Sequence, residues 1–247
     1  MRNLELDNRN GTDKDSNLSG KEYVQAVKVR GNLLATRSRA SRGRALKSGL
    51  TQVRGPRQDT CPACPDKAAN LAHMAQTCGR THGWRCQRHN EVVKMLKTSL
   101  DRKGYTCFVE PRIPKGSTFL KPDLVCFRKL KDNSGSWECL LVDPTIVSDS
   151  CNFSGPLDAK FDKYAVDEVN EWCADAARRV SGSDLPIPLT IDIQGVALDW
   201  RGCWSSESFQ YLTQGVGIPK AYLELISVRI LSSLAACFSA QGKRTDM

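Results

Sequence analysis

Two aspartates flank a hairpin-like pattern. Lys121-Pro122-Asp123 opens onto the apolar run Leu124-Val125-Cys126-Phe127, Lys131 to Ser136 is polar and rich in turn residues, and Trp137-Glu138-Cys139-Leu140-Leu141-Val142 leads to Asp143. This reads as strand, turn, strand. Folding about Asn133 sets Asp123 opposite Asp143, and opposed residues of an antiparallel pair share one face of the sheet. Converged carboxylates repel unless a cation or a shared proton relieves them, so a divalent metal is implied. Glu110 ends the preceding strand, and Lys160 begins the following helix with Tyr164 one turn on, on the same helix face. The candidate catalytic set is therefore Glu110, Asp123, Asp143 and Lys160, with Asp123 and Asp143 as magnesium ligands. Magnesium prefers oxygen ligands and phosphate oxygens. The lysine would orient the attacking water or balance charge in the transition state, which makes phosphodiester hydrolysis the fitting reaction.

A second constellation lies upstream. Cys61-Pro62-Ala63-Cys64, His73 and Cys78 supply the four soft or borderline ligands of a closed, tetrahedral structural zinc site. His82 and Cys86 are near enough in sequence to substitute for one of them, and spacing leaves that choice open. The chain has 11 cysteines. Their odd number, the absence of a signal-peptide pattern at Met1-Arg2-Asn3-Leu4-Glu5, and the placement of Cys107, Cys126 and Cys139 in apolar strand patterns argue for reduced thiols.

Charge points to the partner. Lys and Arg total 36 against 27 acids, a net +9, and the 247-residue chain is 40% hydrophobic, enough for a real core. Phosphate-rich partners are favoured. From Lys28 to Arg57 the charged residues are Lys28, Arg30, Arg37, Arg39, Arg42, Arg44, Lys47, Arg54 and Arg57, with no acid among them. Arg37, Arg39, Arg42 and Arg44 are candidate nucleic-acid contacts, together with Arg88, His89, Lys121, Lys163 and Tyr164. Arg88 and His89 suit phosphate contact, helix capping or solvent equally well, and Trp200 and Trp204 suit base stacking or packing. No apolar stretch reaches the roughly 18 uninterrupted residues of a membrane span.

The elements that position these groups follow from periodicity. Residues 1–20 are polar and aperiodic, a disordered leader or a truncated end, although Ser19 offers a helix cap. Residues 21–59 form the basic linker and 60–87 the zinc knuckle. An α/β domain with C-terminal helices occupies 88–240: a helix over 88–103, strands over 105–110, 124–127 and 137–142, a helix over 157–180, a strand over 187–198, and helices over 206–214 and 219–238. Helices on both sides of a mixed sheet give three layers.

Pro122-Asp123, Asp143 and a lysine displaced onto the next helix resemble the restriction-endonuclease-like nucleases, whose core order is helix, three strands, helix, strand. More narrowly, the chain is similar to the C-terminal part of the site-specific non-LTR retrotransposon polyproteins that insert into large-subunit ribosomal RNA genes. The matching residues are Cys61, Cys64, His73 and Cys78; Arg88, His89 and Asn90; Lys121 to Val125; Asp143; and Lys160, Lys163 and Tyr164. The resemblance runs from about residue 21 to about residue 240. It implies a restriction-endonuclease-like fold, preceded by the knuckle and linker, that nicks double-stranded target DNA so that the freed 3′ hydroxyl primes reverse transcription. It also implies structural zinc, catalytic magnesium, a ribosomal-DNA target, a nuclear location, and contact with the element's RNA through a wider polyprotein that is an RNA-directed DNA polymerase. The sequence has no Asp-Asp dipeptide, so it is expected to be a fragment lacking the polymerase site. One departure stands out: Asp143-Pro144-Thr145 lacks the closely following lysine usual in the superfamily, which leaves Lys160 as the candidate. The competing expectation is a zinc-dependent nucleic-acid-binding module with an inert nuclease fold.

Overall fold

The computed structural model describes residues 19–34, 36–39, 59–131 and 135–242. The leader up to residue 18, Arg42, Arg44 and the turn residue Asn133 lie outside the described residues.

A four-stranded mixed sheet forms the centre, built from β3 (Thr106–Val109), β6 (Leu124–Lys129), β7 (Trp137–Val147) and β8 (Leu189–Asp199), in that order. β3, β6 and β7 are antiparallel neighbours, whereas β7 and β8 run parallel from Trp137↔Leu189 to Val147↔Asp199. A parallel pair needs a crossover. Helices α4 (Ser154–Tyr164) and α5 (Asp167–Ser181) supply it.

Both faces of the sheet are covered. On one, Leu124, Cys126, Leu140, Val142, Val196 and Leu198 pack against Val92, Val93, Leu96 and Leu100 of α3 (His82–Arg102) and Leu223, Ile226 and Ile230 of α7 (Lys220–Gly242). On the other, Val125, Phe127, Cys139 and Leu141 meet Tyr164 of α4 and Val169, Cys173, Ala176 and Ala177 of α5. Burial on both faces explains why β6 begins with an unbroken apolar run rather than an alternating one. Each such fully buried large side chain contributes about 1.5–3 kcal/mol.

α7 is apolar enough over Lys220–Phe238, with mean hydropathy 1.5, to meet the length and composition of a membrane span. Its buried side chains are shared among the sheet, α3, and a third cluster with Ala26, Val29 and Leu34 from α1 (Gly20–Arg30) and the segment after it, and with Trp200. A helix packed on several sides is apolar on several sides.

Three local differences from the sequence reading have physical causes. First, α3 begins at His82 rather than 88 and so runs without a break across the boundary expected between 87 and 88. Thr81 anchors its start by donating to the Met74 and Cys78 carbonyls at 2.7 and 2.9 Å. Second, the single helix expected over 157–180 is two, because Val166 adopts an extended conformation between Tyr164, which turns into the core, and the acidic first turn of α5. Third, an additional hairpin, β4 (Ile113–Lys115) and β5 (Thr118–Leu120), lies between β3 and β6, in a stretch whose prolines masked its strand pattern. The helix expected to start near Ser19 is α1, at the head of the expected basic linker, and its apolar side packs on α7.

Among the described residues there are also the small hairpin β1 (Thr60–Cys61) and β2 (Cys64–Ala68), the short helix α2 (Leu71–Gln76), a single helical turn over Gly79–Thr81, and α6 (Ser206–Gln210), which runs into a wide turn over Tyr211–Gly215. Ser205 caps α6 by accepting from the Ser208 backbone N–H at 3.0 Å.

Candidate active site and metal centre

Register brings the two aspartates together. Leu124 pairs with Val142, so Asp123 and Asp143 occupy the next opposed positions at the end of the β6–β7 ladder. The Asp143 side chain leaves the sheet on the α4/α5 face, opposite to Val142, where Lys160 and Tyr164 lie. Asp143 is only 2% exposed. Lys160 Nζ donates to its Oδ1 at 2.6 Å, and the Tyr164 hydroxyl donates to its Oδ2 at 2.5 Å. Burial, and then the neighbouring Asp123 charge, push the Asp143 carboxyl up, while Lys160 and Tyr164 pull it back. A carboxylate so buried beside a second carboxylate is the environment a divalent cation relieves.

Asp123 is held from the opposite side. His89, on α3, stands 3.2 Å from Asp123 Oδ2 through Nε2, and the same nitrogen lies 3.0 Å from the Pro144 carbonyl. The hydrogen bond with Asp123 raises the His89 imidazole to about 9, against the opposing effect of burial. His89 therefore ties α3 to the ends of both aspartate-bearing strands, a role that phosphate contact did not anticipate.

Glu110 turns elsewhere. Its backbone N–H donates to the Asp123 carbonyl at 2.9 Å, but its carboxylate pairs with Lys121 Nζ at 2.5 Å, with both side chains about half exposed. Glu110 carries a positive φ of 47°, a left-handed bend that ends β3 at this point.

Gly195, which the sequence reading overlooked, explains how Lys160 reaches Asp143. Gly195 is the register partner of Asp143 on β8, and a Cβ there would lie 3.0 Å from Lys160 Cβ and 3.2 Å from the Leu157 carbonyl oxygen. Only glycine leaves room for α4 to lie this close to the sheet.

Of the expected nucleic-acid contacts, Arg88 is corrected by burial. It lies between α2, α3 and α7 at 3% exposure and donates to the Ala75 carbonyl at 3.0 Å, and burial lowers its guanidinium to about 10. Tyr164 is likewise fully buried, so its hydroxyl holds Asp143 rather than meeting solvent. Lys163 is exposed, donates to the Tyr164 hydroxyl at 2.8 Å and sits over its ring. Lys121, Arg37 and Arg39 are exposed, and Arg39 reaches back to the Asn32 carbonyl. Trp200 and Trp204 pack: Trp200 is fully buried, and Trp204 Nε1 donates to Ser227 Oγ at 3.1 Å.

The Cys/His constellation forms a single cluster. Cys61 and Cys64 face each other across the β1–β2 turn, and His73 and Cys78 come from α2 and its exit. The ligand atoms of Cys61, Cys64, His73 and Cys78 all lie within 4.8 Å of one another. His82 and Cys86 are not in this group; they lie one turn apart on α3, 3.6 Å from each other. His73 Nε2 is buried with no hydrogen-bond partner, while Nδ1 lies 2.9 Å from Thr77 Oγ1. An orphaned imidazole nitrogen beside three thiols fits a zinc ligand whose second nitrogen is oriented by an outer hydroxyl. Burial, with Lys67 and Arg85, lowers the His73 imidazole and favours its neutral, metal-binding form. Asn70 sets the geometry by capping α2, accepting from the His73 N–H at 2.8 Å.

No protein-family model matches the chain. It is 29% identical over 221 residues to the retrovirus-related Pol polyprotein from type-2 retrotransposable element R2DM of Drosophila melanogaster, covering 90% of this chain and 18% of that polyprotein. The corresponding polyprotein from type-1 retrotransposable element R2 of Nasonia vitripennis is 26% identical over 223 residues, 90% of this chain and 19% of its own length. That of Bradysia coprophila is 29% identical over 220 residues, 87% and 22%. The chain spans about a fifth of the length of these curated relatives. Over most of its length, it is thus similar to one region of the R2 retrotransposon Pol polyproteins.

Proposed function

We propose that this region is a metal-dependent DNA endonuclease of the restriction-endonuclease-like class, nicking target DNA so that reverse transcription of a non-LTR retrotransposon can be primed. The observation that carries the reading is the buried Asp143 carboxylate, gripped by Lys160 and Tyr164 and set beside Asp123 at the end of one hairpin. Asp123 and Asp143 would hold magnesium, which when bound supplies Lewis-acid stabilisation of charge on the scissile phosphate. Lys160 places a cation where the attacking water and the phosphate meet, and stabilises the charge that builds there. Tyr164 and His89 fix the orientation of the two carboxylates from opposite sides, so little reorganisation is left for the reaction itself.

The Cys61, Cys64, His73 and Cys78 cluster is, in this reading, a zinc knuckle. The basic stretch around Arg37, Arg39, Arg42 and Arg44, with Lys121 and Lys163, neutralises backbone phosphates of double-stranded DNA. A ribosomal-DNA target, a nuclear location and a role for the element's RNA follow from the resemblance to the retrotransposon polyproteins, whose RNA-directed DNA polymerase would lie elsewhere in the longer protein.

The test is magnesium-dependent conversion of supercoiled plasmid to open circles. Asp123→Ala and Asp143→Ala should each abolish nicking while DNA affinity stays within a few-fold. Nicking that survives in either variant sinks the proposal, and an unchanged protein that binds DNA without cutting it supports the inert-module alternative.

A further inference from the structure

The β4–β5 hairpin has no part in the site described above, yet it runs directly into it. Its two faces differ. Ile113 is fully buried and, with its register partner Leu120, joins the cluster formed by α5 and the sheet. The alternate residues Arg112, Pro114 and Phe119 are exposed, as is Lys121 at the hairpin's exit, two residues before Asp123. Pro114 and Phe119 are register partners, and period-two alternation places Arg112, Pro114, Phe119 and Lys121 on one face. Phe119 is 49% exposed, a large aromatic left in solvent on an anchored element. The Arg112 guanidinium lies 4.9 Å from its ring centroid.

Between Pro111 and Pro122 the charged residues are Arg112, Lys115 and Lys121, all cationic. Among the described residues, the acid paired with these cations is Glu110, and its contact with Lys121 joins two half-exposed side chains. Exposed ion pairs are worth little, so a phosphate can displace the carboxylate. A half-exposed ring flanked by cations, on a hairpin anchored in the core through Ile113, is the composition of a nucleic-acid stacking platform.

We infer that the outer face of the β4–β5 hairpin is a nucleic-acid contact surface on which Phe119 stacks against an unpaired or frayed base next to the scissile phosphate while Arg112 and Lys121 engage flanking phosphates. The inference rests on the nuclease reading above and adds to it the element that grips the strand at the cut. The charge of the hairpin favours a polyanion over a second copy of this basic chain. Phe119 is outside the core, so its truncation leaves the fold intact.

The experiment compares the unchanged chain with Phe119→Ala, Phe119→Trp and Arg112→Ala, without added magnesium. The probes are a fluorescein-labelled random-sequence duplex and the same duplex nicked once, with 2-aminopurine beside the nick. Phe119→Ala should bind the nicked duplex about tenfold more weakly and lose the quenching of 2-aminopurine that stacking produces. Phe119→Trp should retain both, and Arg112→Ala should weaken binding while flattening its salt dependence. Binding and quenching by Phe119→Ala equal to the unchanged chain overturn the inference while leaving the nuclease reading standing. An unchanged chain that binds neither probe overturns both. Phe119-dependent dimerisation in sedimentation, with DNA binding unaltered, assigns the face to a second copy and also overturns it.

Discussion

Replacing Gly195 by alanine adds one methyl group where the structure leaves least room. The new Cβ would stand 3.0 Å from Lys160 Cβ, 3.2 Å from the Leu157 carbonyl oxygen and 3.3 Å from Leu157 Cα. Ordinary carbon contacts lie near 3.5–4.0 Å, and two of the three atoms are backbone, so the relief must come from α4 moving off β8 by several tenths of an ångström. Overpacking of this kind costs about 1–3 kcal/mol, offset in part by the roughly 0.5–1 kcal/mol that alanine gains over glycine in a strand. The shift bears on the 2.6 Å contact of Lys160 with Asp143. Misplacing a catalytic group by about 1 Å costs on the order of a hundredfold in rate, so a shift of a few tenths should slow nicking by roughly three- to thirtyfold. Gly155, near the start of the same helix, has nothing within 4 Å of the position that a Cβ would take. Gly155→Ala should leave nicking unchanged and raise stability by up to about 1 kcal/mol. The assay pairs single-turnover plasmid nicking with thermal unfolding. Full nicking and unaltered stability in Gly195→Ala would refute the claim that helix seating on this glycine positions the lysine.

Other expectations concern single contacts. Tyr164→Phe removes the donor to the buried Asp143 Oδ2; a hydrogen bond to a charged group is worth about 1.5–3 kcal/mol, so both melting temperature and nicking rate should fall, and a variant matching the unchanged chain in both would show that Tyr164 does not hold the carboxylate. His73→Ala should abolish stoichiometric zinc in metal analysis and lower the melting temperature, while His82→Ala and Cys86→Ala keep the metal; zinc lost from either of the latter would reassign the ligands. Arg88→Met, at a buried arginine, should change stability without changing DNA affinity by more than about twofold, whereas Lys163→Ala weakens binding and reduces its salt slope by roughly one phosphate contact; a DNA-binding loss in Arg88→Met would return that residue to the interface.

Much of the site was legible because its residues sit where patterns change. The two apolar runs around a polar turn fixed the β6–β7 register, and with it the opposition of Asp123 and Asp143, because side-chain direction in a strand alternates strictly. Cysteine and histidine spacing carried the Cys61, Cys64, His73 and Cys78 cluster for a related reason, since residues this near in sequence are readily brought together by one hairpin and one short helix. What escaped depends on packing between elements distant in the chain. His89 contacts Asp123 and Pro144 only because α3 lies across the strand ends. Gly195 has meaning only once α4 is seated on β8. Arg88 looked like a surface cation because its helix reads as amphipathic from 88 onward, whereas α7 and α2 cover that position. The β4–β5 hairpin was hidden by its prolines, which are tolerated there because the hairpin stands outside the central sheet.

The central claim is that Asp123, Asp143 and Lys160 form one metal-dependent cleavage site. Its most direct test is single-turnover nicking at saturating protein across a magnesium titration, for the unchanged chain and for Asp143→Ala, Asp143→Asn and Lys160→Ala. The account predicts nicking that saturates with magnesium in the unchanged chain, none in either Asp143 variant at any magnesium concentration, and in Lys160→Ala a rate lowered at least tenfold with DNA binding retained. Magnesium-independent nicking, or nicking by Asp143→Ala at the unchanged rate, would contradict it.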